Sequence, residues 1–376
     1  MARHKGKSTR RIKGWQSEDT PGSRTDRAAS RQRITRQGVK LPSSRLAAPE
    51  ENLDALPKAE GMVVGFFPGG AIVRIEEGNL VCGIAKTFRA PPGTSALAVG
   101  DVALVALSRQ VGGGVAGDKD RADGMVLSRR SRETVLARPQ PRSGKHSDRY
   151  DPAAGAKVIV ANMDLLLIVA SVRQPPLRQS VLDRFLIIAE RGDLKPLVVI
   201  NKIDLGQPAP EVTEVLGALG VPLLACSALT GEGMDKLAES LAGKRSVLAG
   251  ASGVGKSTLI NSLIPGAAAA TRPIRMRDQR GRHTTASAMV YPLDDRSGKR
   301  GIIVDTPGVR ELGLDLRAAE LPWYFPDFEE HAARCRFHDC SHTHEPDCAV
   351  QQAVEAGYIL ARRFESYLRI LETLEK

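Results

Sequence analysis

Residues 250–257 read Gly-Ala-Ser-Gly-Val-Gly-Lys-Ser, set between the apolar run Ser246 to Ala249 and a segment in which Leu259, Leu263 and Ile264 fall near helical spacing. A glycine-rich loop between a strand and a helix can wrap a polyphosphate, because its N–H groups converge only where some residues adopt conformations that a Cβ forbids. Gly250, Ala251, Ser252, Gly253, Val254 and Gly255 would supply that backbone. Lys256 would reach the β- and γ-phosphates, and Ser257 would hold Mg2+ with Thr258 beside it. A second reactive group lies near the C-terminus, where Cys335-x4-Cys340-x-His342-x5-Cys348 offers three thiolates and an imidazole, a closed tetrahedral set suited to structural Zn2+. His338 and His344 stand close enough in sequence to be alternative fourth ligands.

Other stretches bear on a nucleotide. Asn201-Lys202-Ile203-Asp204 follows the apolar Leu197 to Ile200 and resembles the base-reading motif of GTPases. The Asp204 carboxylate can accept from guanine N1 and the exocyclic amine, whereas adenine offers a mismatched edge. Asn201 would brace the loop, the Lys202 stem would cover the base, and the backbone at Ser227-Ala228 would donate to guanine O6. Asp305-Thr306-Pro307-Gly308 follows Ile302-Ile303-Val304, so Asp305 would bind Mg2+ through water and the Gly308 N–H would touch the γ-phosphate. In Gly281-Arg282-His283-Thr284-Thr285, Thr285 (with Thr284 the alternative) would complete the Mg2+ shell in the GTP state, which would make this loop a switch.

The elements that must position these groups follow from pattern. From Val158 onward strand and helix alternate: a strand at Leu165 to Ala170, a helix at Leu177 to Arg191, a strand at Leu197 to Ile200, a helix near Glu211 to Leu219, a strand at Pro222 to Cys226 and a helix at Met234 to Leu241. After the phosphate loop come strands near Ser287 to Tyr291 and at Ile302 to Val304. Such a rhythm predicts a mostly parallel sheet with helices on both faces and a ligand at the C-terminal strand ends, where all the motifs fall. Upstream, Met62 to Val64, Ala71 to Ile75, Leu80 to Ile84, Val102 to Leu107 and Gly124 to Leu127 are five short β-type runs, which predict a small barrel. Gly112 to Asp123 reads as a mobile loop, Arg129, Arg130, Arg132 and Arg138 as a basic edge that favours RNA, and Gln140 to Pro152 as a linker. Trp323 to Phe328 is expected to pack the C-terminal lobe against the sheet domain. A final helix from Gly357 to Lys376, with Tyr358, Arg362, Arg363, Tyr367 and Arg369, would close that lobe with a face toward RNA.

Composition narrows the class. At 376 residues, 42% hydrophobic and without a secretory core or an eighteen-residue apolar run, the sequence reads as a cytoplasmic protein of several domains with no membrane partner. Five cysteines are too few for a disulfide scaffold and fit a reducing compartment. Of the net charge of +11, almost all sits in residues 1–45, which hold thirteen Lys or Arg against three acids. That tail has too little apolar surface to fold alone and suits a polyanionic partner.

Ordinary GTPases place the phosphate loop first and NKxD fourth. Here the order is NKID, SA, GASGVGKS, GRHTT, DTPG, a circular permutation. With a barrel before it and a Cys/His cluster after it, the sequence over about residues 60–376 resembles the bacterial ribosome-small-subunit-dependent GTPases. That resemblance implies an OB-fold barrel, a circularly permuted α/β P-loop GTPase domain and a small α-helical zinc-binding domain. The expected boundaries are a basic tail over 1–57, the barrel over 58–139, a linker over 140–156, the GTPase domain over 157–320 and the zinc lobe over 321–376. It further implies one structural Zn2+ held by Cys335, Cys340, His342 and Cys348, with His338 and His344 outside the family spacing, and Mg2+ carried with GTP. A GTP hydrolase that binds the small ribosomal subunit and its rRNA late in assembly follows, with a monomer as the default expectation. Val309 stands where many GTPases carry a water-orienting Gln, and the family assigns that role to the histidine of the GRHTT loop, here His283. Relatives usually have a third Thr where this sequence has Ala286. Two rival readings share parts of the pattern: an RNA-binding scaffold that holds guanine nucleotide without stimulated turnover, and a GTPase directed at tRNA or the large subunit.

Overall fold

In the computed structural model the described residues are 53–67, 69–88, 90, 96–108, 122–138, 157–264, 267, 288–294, 300–306, 309, 313–314 and 316–374, with the backbone of 33–34 and 40–41. In the tail, β1 (Arg33–Ile34) pairs antiparallel with β2 (Lys40–Leu41). The rest of the expected disordered tail up to residue 52, almost all of the Gly112 to Asp123 loop and the 140–152 linker lie outside the described residues.

Five strands close into a barrel in the order β3 (Lys58–Phe67), β4 (Gly70–Ile75), β5 (Gly78–Ile84), β7 (Gly124–Arg129), β6 (Val102–Leu107). Period-2 alternation explains its filling: Val63, Val73, Leu80, Cys82, Val105 and Val126 point inward and are buried together. The basic edge is smaller than the sequence suggests. Arg132 is buried and donates from Nε to Asp101 Oδ1 at 2.7 Å, and Arg130 pairs with Glu60 at 2.6 Å in the open. Beyond the barrel, β8 (Val135–Arg138) pairs antiparallel with β9 (Lys157–Ala161), a ladder that three apolar residues in the one strand and four in the other did not announce.

The central sheet has the order β12 (Leu223–Ala225), β11 (Lys195–Asn201), β10 (Leu165–Ser171), β13 (Arg245–Ala249), β15 (Arg300–Asp305), β14 (Met289–Asp294), all parallel except β14. Every residue of β10 is buried, as a strand covered on both faces requires. Its side chains divide between two cores. Leu166 and Ile168 join Leu182, Ile188 and Leu216 from α1 (Gln179–Arg191) and α2 (Pro210–Ala218), while Leu165, Leu167 and Val169 join Leu237 and Leu259 from α3 (Met234–Leu241) and α4 (Lys256–Leu263). Each fully buried leucine here contributes on the order of 2 kcal/mol.

The C-terminal lobe comprises a 3-10 turn (Ala318–Tyr324), α5 (Pro326–Ala332), α6 (Ala349–Glu355) and α7 (Ala361–Leu374) around Phe325, Phe328 and Tyr367. Ile187 of α1 enters this core, and Tyr324 accepts from Arg191, so the aromatic stretch does join lobe to sheet domain. Trp323 takes no part in it and is 72% exposed. The expectation for α7 needs correction. Arg363 is 3% exposed, bonds Asp183 of α1 at 2.6 Å and Asp327 of α5 at 2.8 Å, and lies over the Phe325 ring. Tyr367 is buried and donates to the Ser341 carbonyl. The helix therefore turns Arg363 and Tyr367 inward, because its apolar stripe (Ile370, Leu371) carries them with it. Arg362, one residue away, reaches Glu211 of α2 instead. Among the described residues no helix is long and apolar enough to cross a membrane.

Candidate nucleotide and metal sites

β11 and β13 flank β10, so the segments that leave their C-terminal ends emerge side by side. Asn201, the last residue of β11, is buried and joins three pieces of chain. Its Nδ2 donates to the Val254 carbonyl at 3.0 Å and its Oδ1 accepts the Ala228 N–H at 3.0 Å. Lys202, at φ 65°, swings its Nζ to the carbonyls of Gly253 (2.7 Å) and Gln174 (2.5 Å). Asp204 lies exposed in the short 3-10 turn that follows, and Ser227 Oγ donates to its Oδ1 at 2.6 Å. That bond holds the carboxylate over the segment whose Ala228 N–H is already fixed by Asn201. The three stretches NKID, SA and GASGVGKS thus form one hydrogen-bonded unit.

In the phosphate-loop segment, Gly250 has φ 138° and Gly255 φ 93°, conformations open to glycine and strained for other residues. Lys256, the first residue of α4, is buried, with Nζ bound to the carbonyls of Gly250 (2.7 Å) and Ala251 (2.5 Å). Ser252, Gly253, Ser257 and Thr258 are exposed on the rim and Val254 is buried beneath. Asp305 ends β15 in register with Leu248, two positions before Gly250, so its strand end borders the loop. His283, Thr284, Thr285 and Gly308 lie outside the described residues; Val309, by contrast, is buried in the sheet core. The sequence reading overlooked Gln174, whose carbonyl takes the Lys202 ammonium, and Pro175, which faces Gly253. Their only signal was a place at the C-terminal end of the central strand. A Cβ on Gly255 would fall against Asn201 Nδ2 at a strained φ. Gly255→Ala is therefore expected to weaken guanine-nucleotide binding at least tenfold by equilibrium titration and to lower the melting temperature by a few degrees, since the strained φ and the collision with buried Asn201 also cost stability.

At the second site the ligand atoms of Cys335, Cys340, His342 and Cys348 all lie within 4.8 Å of one another. His342 Nδ1 is 3.6 Å from Cys335 Sγ and 3.5 Å from Cys348 Sγ, and those two sulfurs are 4.0 Å apart. Tetrahedral Zn–S and Zn–N bonds require edges of about 3.5 to 3.8 Å, so the four donors could close on one such ion with small side-chain adjustments. His338 and His344 are exposed and outside the group. Burial pushes the Cys340 thiol up to about 12, raises Cys348 and lowers His342, which keeps the imidazole neutral for metal. Glu345 organises the loop between ligands, accepting from the backbone N–H groups of Ser341, Thr343 and His344. Those bonds hold its carboxyl well below the usual range against the opposing effect of burial.

Comparison with known proteins accords with this arrangement. The RsgA GTPase family model matches residues 130–315. The small ribosomal subunit biogenesis GTPase RsgA of Shewanella oneidensis is 36% identical over 329 residues, covering 85% of each chain. The chain belongs to the RsgA GTPase family. The protein of the same name from Gemmatimonas aurantiaca is 42% identical over 248 residues, 65% of this chain and 76% of its own. Among solved structures, YjeQ from Thermotoga maritima matches with a TM-score of 0.61 at 30% identity, covering 85% of this chain and 99% of that one. YloQ, described as a circularly permuted GTPase, matches with a TM-score of 0.55 at 26% identity over 85% and 96%. As an RsgA GTPase the protein hydrolyses GTP, and its motif order is that of a permuted GTPase fold with a barrel before it and a Cys/His lobe after it.

Proposed function

We propose that this RsgA-family chain is a GTPase of small-ribosomal-subunit biogenesis that binds the subunit and its rRNA in the GTP state and leaves after subunit-stimulated hydrolysis. The observation that carries the nucleotide reading is the direct hydrogen bond from Asn201 to Val254, which ties the base-reading loop to the phosphate loop. The relatives' names support the ribosomal assignment. In this reading Asp204 selects guanine, with Asn201 and Ser227 holding its loop. Lys202 covers the base, and the backbone at Ser227-Ala228 donates to guanine O6. The backbone of residues 250–255, with Lys256, Thr258 and the Gly308 N–H, binds the phosphates. Ser257, Asp305 and Thr285 hold Mg2+, which supplies charge neutralisation there. His283, through a neutral imidazole, orients the attacking water. Cys335, Cys340, His342 and Cys348 hold a structural Zn2+ that leaves no open position for chemistry.

The domain limits proposed are 58–139, 157–320 and 321–376, with a basic tail over 1–57 and a linker over 140–156, in a cytoplasmic monomer. Turnover measured side by side with purified small and large subunits tests the assignment. Small subunits are expected to raise the rate at least tenfold and large subunits to leave it unchanged. His283→Ala is expected to remove the stimulated rate while GTP affinity persists. Equal stimulation by both subunits, or by neither, sinks the ribosomal reading.

A further inference from the structure

The barrel is not an independent module tethered to the GTPase fold. Along β3, β4 and β5, alternation sends Val63, Val73, Leu80 and Cys82 to the interior, so that Val64, Ile72 and Val81 point out of the barrel wall. These outward residues, with Phe67, are nonetheless buried as a separate apolar cluster. Val290 packs against that cluster, and it also packs against the main core of the sheet domain, as do Met62 and Phe66 from β3. Val290 is the second residue of β14, the antiparallel edge strand of the central sheet. In the β14–β15 register Val290 faces Val304 and its neighbour Met289 faces Asp305. One residue thus separates an apolar seat for the barrel from the backbone partner of the proposed Mg2+-binding carboxylate.

We propose that the outer wall of the barrel is a coupling surface, through which the state of the nucleotide site, felt at Asp305, reaches the barrel by way of β14, and occupancy of the barrel acts back on the site. The inference rests on reading Asp305 as part of the nucleotide site. Physical coupling through such a contact is reciprocal, so it can be read from either end. An edge strand is suited to carrying it, because among the described residues β14 has a sheet neighbour on one side only and meets the barrel through the side chain of Val290.

Amide hydrogen exchange on the full chain, with and without Mg2+ and a non-hydrolysable GTP analogue, tests this. Amides of Val63 to Phe67, Ala71 to Val73 and Leu80 to Cys82 are expected to change exchange rate at least threefold on binding. Val290→Ser should abolish the response while analogue affinity stays within threefold. Ile72→Ser, on the barrel side and away from the pocket, should do the same. A bound analogue with an unresponsive barrel in the natural protein, or variants that respond as it does, would overturn the proposal. Failure of the natural protein to bind the analogue would instead be a failure of the nucleotide reading.

Discussion

Asp204→Asn is expected to lower GTP affinity at least a hundredfold and to reverse base preference toward xanthine. The carboxylate offers two acceptors to the two donors on the guanine edge. An amide offers one acceptor and one donor, so an N–H would face the exocyclic amine and both would be left unpaired on binding. Xanthine carries a carbonyl at that position, which the amide can satisfy. A hundredfold loss corresponds to about 2.7 kcal/mol, within the range for a desolvated polar mismatch. Asp204 is exposed and its partner among the described residues is the Ser227 hydroxyl, which can donate to an amide oxygen as well as to a carboxylate. The fold should therefore be unaffected, and circular dichroism should not distinguish the variant. Competition titration with GTP, XTP and ATP measures the effect. An unchanged GTP dissociation constant would remove Asp204 from base recognition.

Cys348→Ala is expected to abolish bound zinc and to open the C-terminal lobe. Cys348 is a ligand candidate and also the residue from which α6 starts, and its sulfur lies in the cluster with Phe328 and Tyr367. The lobe is too small to replace the metal with apolar burial, and structural zinc in such units supplies roughly 10 kcal/mol or more at neutral pH. Metal analysis should fall from one zinc per chain to none, and exchange protection in α5 to α7 should be lost. Because α7 docks on α1 and α2 through Arg363 and Arg362, GTP affinity should fall as well, by less than tenfold. The pH dependence has a definite sign. Metal must displace the protons of Cys340 and Cys348, and burial raises both thiols, Cys340 to about 12, so affinity falls as pH falls. With these two protons displaced the slope approaches roughly a hundredfold per pH unit. Full zinc content in the variant would sink the assignment.

The mechanism ties these sites to one another through helices. α1 follows the segment that holds Gln174 and Pro175 against Lys202 and Gly253, and along its length Asp183, Ile187 and Arg191 contact the C-terminal lobe. Asp183 is almost wholly buried, and burial raises its carboxyl despite the Arg363 guanidinium. Removing either partner of such a pair would strand the other charge in the interior.

Several features were legible because their chemistry is local. GASGVGKS needs glycines where the backbone turns through positive φ, NKID needs its residues within one turn after a strand, and Cys335 to Cys348 lie within one short loop region. Spacing along the chain is enough to state such requirements, and motif order alone revealed the permutation. The hydrophobic rhythm likewise announced β10, α3 and both classes of domain, since a strand buried on two faces must be apolar throughout. What required the tertiary structure was orientation. Arg362 and Arg363 are adjacent in sequence and equal in charge, yet about 100° of helical rotation sends one to the surface and the other between two aspartates. Arg132 looked like Arg130 until Asp101 was found buried beside it. Val64 and Val290 carry no motif at all, and only the closure of the barrel against an edge strand brings them together, because packing between distant segments depends on which faces meet and a linear pattern does not encode that.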